Sequence, residues 1–276
     1  MKANSIKITN PDKIIFPKEK ITKLDVINYY IDISHLMLPY IENRLLSVIR
    51  CHSGQNGECF FKKHPTNDKD MVNIYNDDDE EYFYIKNQTQ LVYQVQMGTL
   101  EFHTWASSVP KINKPNLMVF DLDPDENLPL IKLRDAVKKV KSVLDQLNLV
   151  SFLKTSGGKG YHIVVPFSNT KDWQTFYDFS NQIAIFAENK WPKIFTTNIK
   201  KAERKGKIFI DYLRNNRGST CVAPYSLRNR DNASISMPIS WQNLNKIKPN
   251  EVTIKNYKKY LNNSWQDFFT TKQKLK

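Results

Sequence analysis

Residues 117–123 are an apolar run that ends in two aspartates, Asp121 and Asp123, and is stopped by Pro124. Side chains alternate faces along a strand, so this spacing puts both carboxylates on one face at a strand's end. Two carboxylates held side by side repel each other unless a cation lies between them. Hard oxygen ligands suit Mg²⁺ or Mn²⁺. In a basic chain, the chemistry such a strand implies is phosphoryl or nucleotidyl transfer.

The segments around this strand alternate in type. A helix is expected over 130–147, a strand over 150–154, a tight turn over 156–160 and a strand over 161–165. A helix capped by Asp172 follows to 190, then a strand over 207–213 and an irregular segment over 214–230. This β-α-β-β-α-β order predicts an α/β unit with a mixed sheet. Upstream, Thr22 and Asp25 form a capping-box-like start to an amphipathic helix that runs to about Leu38 and ends before Pro39. Strands are expected over 45–51 and 58–62 around the turn 53–57. A strand over 82–86, a helix over 88–97 ended by Gly98, and a strand over 100–105 complete this half. The acidic run 76–81 reads as a solvated loop.

Lys plus Arg number 41 and Asp plus Glu 28, a formal net charge of +13, which points to a polyanionic partner, most simply nucleic acid. With 40% apolar and 12% aromatic residues over 276 positions, the chain can bury a core and is not disordered. No run of about 18 apolar residues is present, so no transmembrane helix and no membrane partner are expected. Residues 1–10 contain no apolar signal core. Cys51, Cys59 and Cys221 are an odd, sparse set that fits a reducing cytoplasm without a disulfide framework. Cys51, His52, Cys59 and His64 contain no closely spaced cysteine pair, so structural zinc is set aside.

Three further stretches carry chemistry. In Thr155-Ser156-Gly157-Gly158-Lys159-Gly160-Tyr161-His162, the glycines allow a sharp turn and close approach to a ligand. Ser156, Lys159 and His162 supply a hydroxyl, an ammonium and an imidazole for a triphosphate. It is not a Walker loop, because Gly160 is followed by Tyr161 and a strand. In Ile208-Phe209-Ile210-Asp211-Tyr212, a carboxylate inside an apolar strand is costly unless paired or metal-bound. Asp211 is thus the candidate third metal carboxylate, the alternative being a pairing with Arg214 or Arg228. In Ala223-Pro224-Tyr225-Ser226-Leu227-Arg228, the arginine can clamp a triphosphate in bidentate fashion.

Taken in order, these stretches form a longer set with Lys13, Lys23, Phe60-Phe61 and Gln96-Met97-Gly98-Thr99-Leu100-Glu101-Phe102-His103. From about Ile8 to Trp241 the chain resembles the polymerase domain of bacterial and archaeal ligase D, in the archaeo-eukaryotic primase superfamily. The resemblance implies a primase fold with an RRM-like mixed-sheet core. It divides the single 1–276 domain into an N-terminal α/β module (1–115), a catalytic core (116–245) and a basic C-terminal tail (246–276). It also implies roles. Asp121, Asp123 and Asp211 hold two Mn²⁺ or Mg²⁺ ions, with His103 beside the metals and the incoming NTP or dNTP. Ser156, Lys159, His162 and Arg228 contact the nucleotide phosphates, with Arg204 and Arg214 as further basic candidates. Lys13 and Lys23 hold the 5′-phosphate across a DNA gap. Phe60, Phe61 and Lys63 contact the template; strand alternation predicts that only one of the two phenylalanines is fully exposed.

The activity implied is template-dependent nucleotidyl transfer that fills gaps and extends ends at DNA double-strand breaks, ribonucleotides often included. The implied partners are DNA with 5′-phosphorylated gaps or 3′ overhangs, Ku and a separate ATP-dependent ligase. A monomer in the nucleoid-containing cytoplasm is expected. Relatives often carry a nuclease or a ligase in the same chain. This one has no room for a ligase domain, so a stand-alone polymerase or an excised domain is expected. A primase that starts chains de novo and a non-catalytic DNA-end-binding module are the alternatives.

Overall fold

The computed structural model describes residues 2–3, 6–66, 68–77, 79–262 and 264–275. β1 (Lys2–Ala3) and β2 (Ile6–Lys7) pair at the start, followed by the pair β3 (Ile14–Phe16) and β4 (Ile21–Thr22). α1 (Lys23–Ile41), β5 (Leu46–Cys51), β6 (Cys59–Lys62), β7 (Asn73–Asp77), β8 (Glu80–Tyr84), α2 (Gln88–Gln96) and β9 (Thr99–Trp105) complete the first half. The second half runs β10 (Leu117–Pro124), α3 (Leu130–Gln146), β11 (Phe152–Thr155), β12 (Tyr161–Pro166), α4 (Trp173–Lys190), β13 (Phe195–Thr196), β14 (Ile208–Asp211), β15 (Thr220–Val222) and β16 (Pro238–Ile239).

The second half forms a six-stranded sheet in the order β13-β14-β10-β12-β11-β16. β13 and β14 run parallel and the other pairs antiparallel, which makes the mixed sheet that the alternating elements predicted. Residues opposite each other in an antiparallel pair share a face. Phe120, Leu122, Leu153, Ile163 and Ile210 therefore face one side, where they are buried in the core with the apolar stripes of α3 and α4. The other side is apolar along Val119, Phe152 and Val164 and polar along Asp121, His162, Lys154 and Asp211. Trp265 and Phe268 cover the apolar end, stacked on each other, meeting Phe152 at steep angles and Tyr40 of α1 edge-on. The C-terminal stretch thus packs on the core and ties it to the first half. The polar end of the same face stays open.

A second sheet, ordered β15-β9-β5-β6, lies beside that opening. It joins the two halves, because β15 pairs with β9 in the register Val222↔His103.

Three local expectations are corrected. Pro39 lies inside α1, which continues to Ile41. A proline in the last turn removes one backbone donor. The helical donor it removes is the one that would reach the carbonyl of exposed His35, while buried Tyr40 and Ile41 hold the turn in place. The acidic run is not a plain loop: Asn76 and Asp77 pair with Glu81 and Glu80 in the β7–β8 hairpin. The cysteine expectation also fails. Cys51 and Cys59 face each other in register across β5 and β6, their Cα atoms 4.3 Å apart, and their sulfurs are bonded. By contrast, the capping box is present, with Thr22 accepting from the Asp25 amide at 3.1 Å and Asp25 from the Thr22 amide at 2.8 Å.

Candidate active site

The polar end of the central sheet opens into a cleft of about 600 Å³. Its floor follows from register. Asp121 sits opposite His162 on one neighbouring strand and opposite Asp211 on the other, and Lys154 lies opposite His162. Four strands therefore present Lys154, His162, Asp121 and Asp211 as one row. Asp123, two residues along β10, extends that face toward solvent.

The carboxylates feel one another and the cations around them. Burial pushes Asp123 above its ordinary value and the negative charge of Asp121 adds to that; Arg204 opposes, its Nη1 standing 3.7 Å from Asp123 Oδ2. Asp211 is also raised, by burial first, with Asp121 adding to it against Arg214. Asp121 moves the other way: burial pushes it up, but His162, Arg214 and Lys154 outweigh that and hold it well below the usual carboxylate range. Arg214 Nε lies 3.0 Å from Asp211 and 3.9 Å from Asp121. The arginine pairing weighed from the sequence for Asp211 is thus present.

Among the described residues, no three His, Cys, Asp or Glu side chains converge closely enough to hold one metal ion. Asp121 and Asp123 line the cleft, while Asp211 is buried against Arg214 and also accepts the Leu213 amide at 3.1 Å. The donor set nevertheless fits a divalent cation. Three carboxylates share one sheet face, and two of them are raised in part by the charge of the third, a repulsion that a hard cation relieves.

The Gly-rich turn joins β11 to β12 at the rim. Its shape rests on Ser156, whose hydroxyl accepts the amides of Gly158 at 3.0 Å and Gly160 at 3.1 Å. Gly160 is pressed against β10: a Cβ there would lie 2.1 Å from the Leu122 carbonyl oxygen. Lys159 stands at the outer rim, 2.6 Å from Glu126. His162 is buried at the floor, with Nε2 3.3 Å from Asp121 Oδ1. Arg204 lies over the Phe209 ring at 3.6 Å and donates to the Asn198 carbonyl.

The opposite wall is built from β9 and the segment after β15. His103 Nε2 is 2.9 Å from Glu101 Oε2, and Arg228 Nε meets the same oxygen at 2.9 Å. The second Glu101 oxygen accepts the Asn229 amide at 2.7 Å. Burial pushes Glu101 up, but His103 and Arg228 bring its carboxyl down to about 2. Arg228 also donates through Nη1 to the Ser156 carbonyl, joining this wall to the Gly-rich turn.

His103, Asp121, Asp123, Ser156, Lys159, His162, Arg204, Arg214 and Arg228 are thus brought together around one cleft. Lys13 and Lys23 lie elsewhere, on a pocket of about 230 Å³ shared with Thr9, Asn10, His52 and Gln96. Lys13 donates to the His52 carbonyl and Lys23 to the Thr9 carbonyl at 3.0 Å. Lys23 is lowered, by burial first and then by the charge of Lys13. Two ammonium groups beside one small pocket suit a dianion. Phe60 and Phe61 are both exposed, at 41% and 51%, which corrects the expectation of one. β6 is the outer strand of its sheet, and the rings of these two residues, which point to opposite faces, both stay exposed while Lys62 is buried. Phe60 packs on His52 and Phe61 on His103, with ring centroids 5.5 and 5.3 Å apart. Phe61 therefore joins the hairpin to the cleft. Lys63, two residues further on, is exposed.

Sequence reasoning assigned no role to Glu101, Lys154 or Cys221. Lys154 meets His162 across paired strands, Glu101 meets His103 along β9 and Arg228 from a loop, and Cys221 meets His162 from another sheet; for Glu101 and Lys154 the one available signal was a charge inside an apolar strand, as at Asp211.

A mixed sheet with carboxylates and a ring of cations on its open face fits the primase-polymerase class of proteins. The family model described as "LigD, primase-polymerase domain" matches residues 22–269. The chain belongs to the LigD primase-polymerase family. It is 32% identical over 281 aligned residues to the multifunctional non-homologous end joining protein LigD of Pseudomonas aeruginosa, covering 98% of this chain and 34% of that protein. It is 32% identical over 238 residues to the bifunctional non-homologous end joining protein LigD of Bacillus subtilis, covering 86% of this chain and 39% of that one. The chain thus spans between a third and two fifths of these relatives' length. Among solved structures it is similar to the polymerase domain from Mycobacterium tuberculosis ligase D in complex with DNA, with a TM-score of 0.85, 25% identity and coverage of 93% of this chain and 94% of that one.

Proposed function

We propose that the chain adds nucleotides to a DNA 3′ end across gaps and overhangs at double-strand breaks. Asp121, Asp123 and Asp211 are the residues that hold divalent cations. When bound, Mg²⁺ or Mn²⁺ supplies Lewis-acid activation of the primer hydroxyl and charge neutralisation on the leaving pyrophosphate. The protein's own groups do the rest. Lys159, Arg228, Arg204 and Arg214 ring the cleft and hold the triphosphate, which offsets charge that grows during transfer. In doing so Lys159 exchanges Glu126, and Arg214 exchanges Asp211, for phosphate oxygens. Ser156 keeps the Gly-rich turn open to the nucleotide, and His162 offers its Nε2 edge beside Asp121. His103, held by Glu101, faces the same space.

The observation that carries this reading is the row Lys154–His162–Asp121–Asp211 at one level of the sheet, with Asp123 ahead of it. The Lys13–Lys23 pocket and the exposed Phe60 and Phe61 fit the two strands of a DNA end: the pocket a 5′-phosphate, the rings a template base. DNA-end partners such as Ku and a separate ligase fit an enzyme whose relatives are named for end joining. Among the described residues, no helix is long and apolar enough to cross a membrane.

Primer extension on a gapped, 5′-phosphorylated template with Mn²⁺ and NTPs or dNTPs tests the reading. Templated addition to the primer supports it. Dinucleotide synthesis on single-stranded DNA without a primer would instead make the chain a primase. Binding to DNA ends with no nucleotide incorporation at all would make it a non-catalytic module.

A further inference from the structure

A second hollow, of about 610 Å³, lies on the helix side of the central sheet. α3 lines it with Lys132, Lys138 and Lys139, and the segment after α4 lines it with Trp191 and Lys193. Its one carboxylate, Asp135, stands 3.8 Å from Lys138. Among the described residues, Lys132, Lys139 and Lys193 have no carboxylate partner. Cations gathered in a groove without counter-charge draw a polyanion to it. Trp191 is half-buried, and its backbone is fixed at the end of α4 by bonds to Ala187, Ile194 and Phe195. The ammonium groups of Lys139 and Lys190 lie 5.2 and 5.0 Å from its ring. Such a contact is weak in water, so both can leave the ring for phosphate oxygens. An aromatic ring set among lysines is the arrangement that stacks a base and tracks a phosphate backbone.

The groove shares a wall with the cleft. Asp125 and Glu126 line the cleft and Leu128 lines the groove; Lys201 and Arg204 line the cleft and Gly206 and Ile208 line the groove. The two stretches are tied together, the Gly206 amide donating to Asp125 at 2.6 Å and the Asp125 amide to the Lys207 carbonyl at 3.0 Å. The second stretch carries Lys200, Lys201, Arg204, Lys205 and Lys207 against one acid, Glu203. A basic band therefore runs from the cleft round the end of the sheet to the groove.

We propose that the band and the groove form a second nucleic-acid surface, which takes the single-stranded part of a DNA end where it leaves the cleft. Lys132, Lys139 and Lys193 hold phosphates there and Trp191 stacks a base. This rests on the polymerase reading for where the strand comes from, but not for how the groove holds it. An acidic peptide would match the lysines alone. The ring among them and the wall shared with the cleft favour a strand of nucleotides.

The test is fluorescence anisotropy of the full chain with two DNA ends built on one duplex. One overhang is shorter than the roughly 4–16 nucleotides that such surfaces cover, and the other is that long. The wild type should bind the long overhang more tightly. A variant carrying Lys132→Ala, Lys139→Ala and Lys193→Ala should lose that advantage and bind the short overhang as the wild type does. Its slope of log K against log salt on the long overhang should fall by about 2. Trp191→Leu, which keeps an apolar side chain beside Phe195, should weaken binding of the long overhang about 5–150-fold. Equal wild-type affinity for the two ends overturns the proposal, as does a folded triple variant that keeps the advantage. A polyglutamate peptide that binds the wild type but not the triple variant, and that the long overhang does not displace, overturns it too and makes the groove a seat for an acidic protein. If the length dependence holds while no primer is extended, the polymerase reading fails and this surface stands. If primers are extended with no length dependence in binding, this surface alone fails.

Discussion

Glu101 and His103 lie two residues apart on one face of β9 and are joined by a 2.9 Å contact between Oε2 and Nε2. Arg228 shares that oxygen, so one buried carboxylate orients the histidine and the arginine of the same wall.

Glu101→Gln keeps the shape and removes the charge. Hydrogen bonds to charged groups are worth about 1.5–3 kcal/mol, and a loss of that size is expected in urea denaturation at neutral pH. The Glu101 carboxyl is held at about 2, below its ordinary 4.5. The folded state therefore binds fewer protons than the unfolded one between these values, and stability rises with pH there. The wild type's advantage over the variant should be complete above the ordinary value and disappear as pH falls through about 2. A gap that does not change with pH would show that the charge of Glu101 is not what stabilises this wall.

Two glycines separate steric from conformational constraint. Gly160→Ala drives a Cβ into the Leu122 carbonyl oxygen, 2.1 Å away. Overpacking of this kind costs about 1–3 kcal/mol, and the strand hairpin at the cleft rim should shift with it. Gly206 has a φ of +71°, and apart from its own chain neighbours no atom lies within 4 Å of the place an added methyl group would take. Gly206→Ala should cost only the left-handed backbone penalty, about 1 kcal/mol. Thermal denaturation of the pair, read with nucleotide binding, checks both; equal losses would contradict the close approach at Gly160.

Lys13→Ala with Lys23→Ala should weaken binding to 5′-phosphorylated gaps far more than to hydroxyl-ended ones. Losing two phosphate-facing ammonium groups should also reduce the slope of log K against log salt by about 2. Filter binding over a salt series with both kinds of end gives the answer. Equal affinity of the unmutated protein for the two ends would remove the 5′-phosphate role from this pocket.

Phe60→Ala and Phe61→Ala should each leave stability within about 0.5 kcal/mol, since both rings face solvent. Each should cost about 1–3 kcal/mol in binding a DNA end with an unpaired template base. Phe61→Ala should also slow nucleotide addition, because that ring packs on His103. Denaturation and fluorescence anisotropy separate the two effects.

The main frame of the fold is legible in the chain because it is written in local terms. The period of the apolar residues gives β10, β11, β12 and β14 of the six-stranded sheet and its two helices, while the two-residue edge strands β13 and β16 carry no such period; the Thr22–Asp25 cap starts α1, and the Asp121–Asp123 spacing puts both carboxylates on one face. What the sequence hides is register and edge position. Nothing local says that Cys51 faces Cys59, that β6 is an edge strand with both phenylalanines exposed, or that Lys154 lies opposite His162. Pro39 misleads for a related reason: tertiary packing of Tyr40 against Trp265 and Phe268 outweighs the missing backbone bond. Arg214 against Asp211 was legible only as one of two pairings.

Asp121→Ala and Asp123→Ala, assayed for primer extension on a gapped, 5′-phosphorylated template with Mn²⁺, test the central claim most directly. Both variants should still bind the DNA end through the Lys13–Lys23 pocket, and neither should add nucleotides above background. Extension by either variant at the wild-type rate would contradict the assignment of this cleft as the site of nucleotidyl transfer.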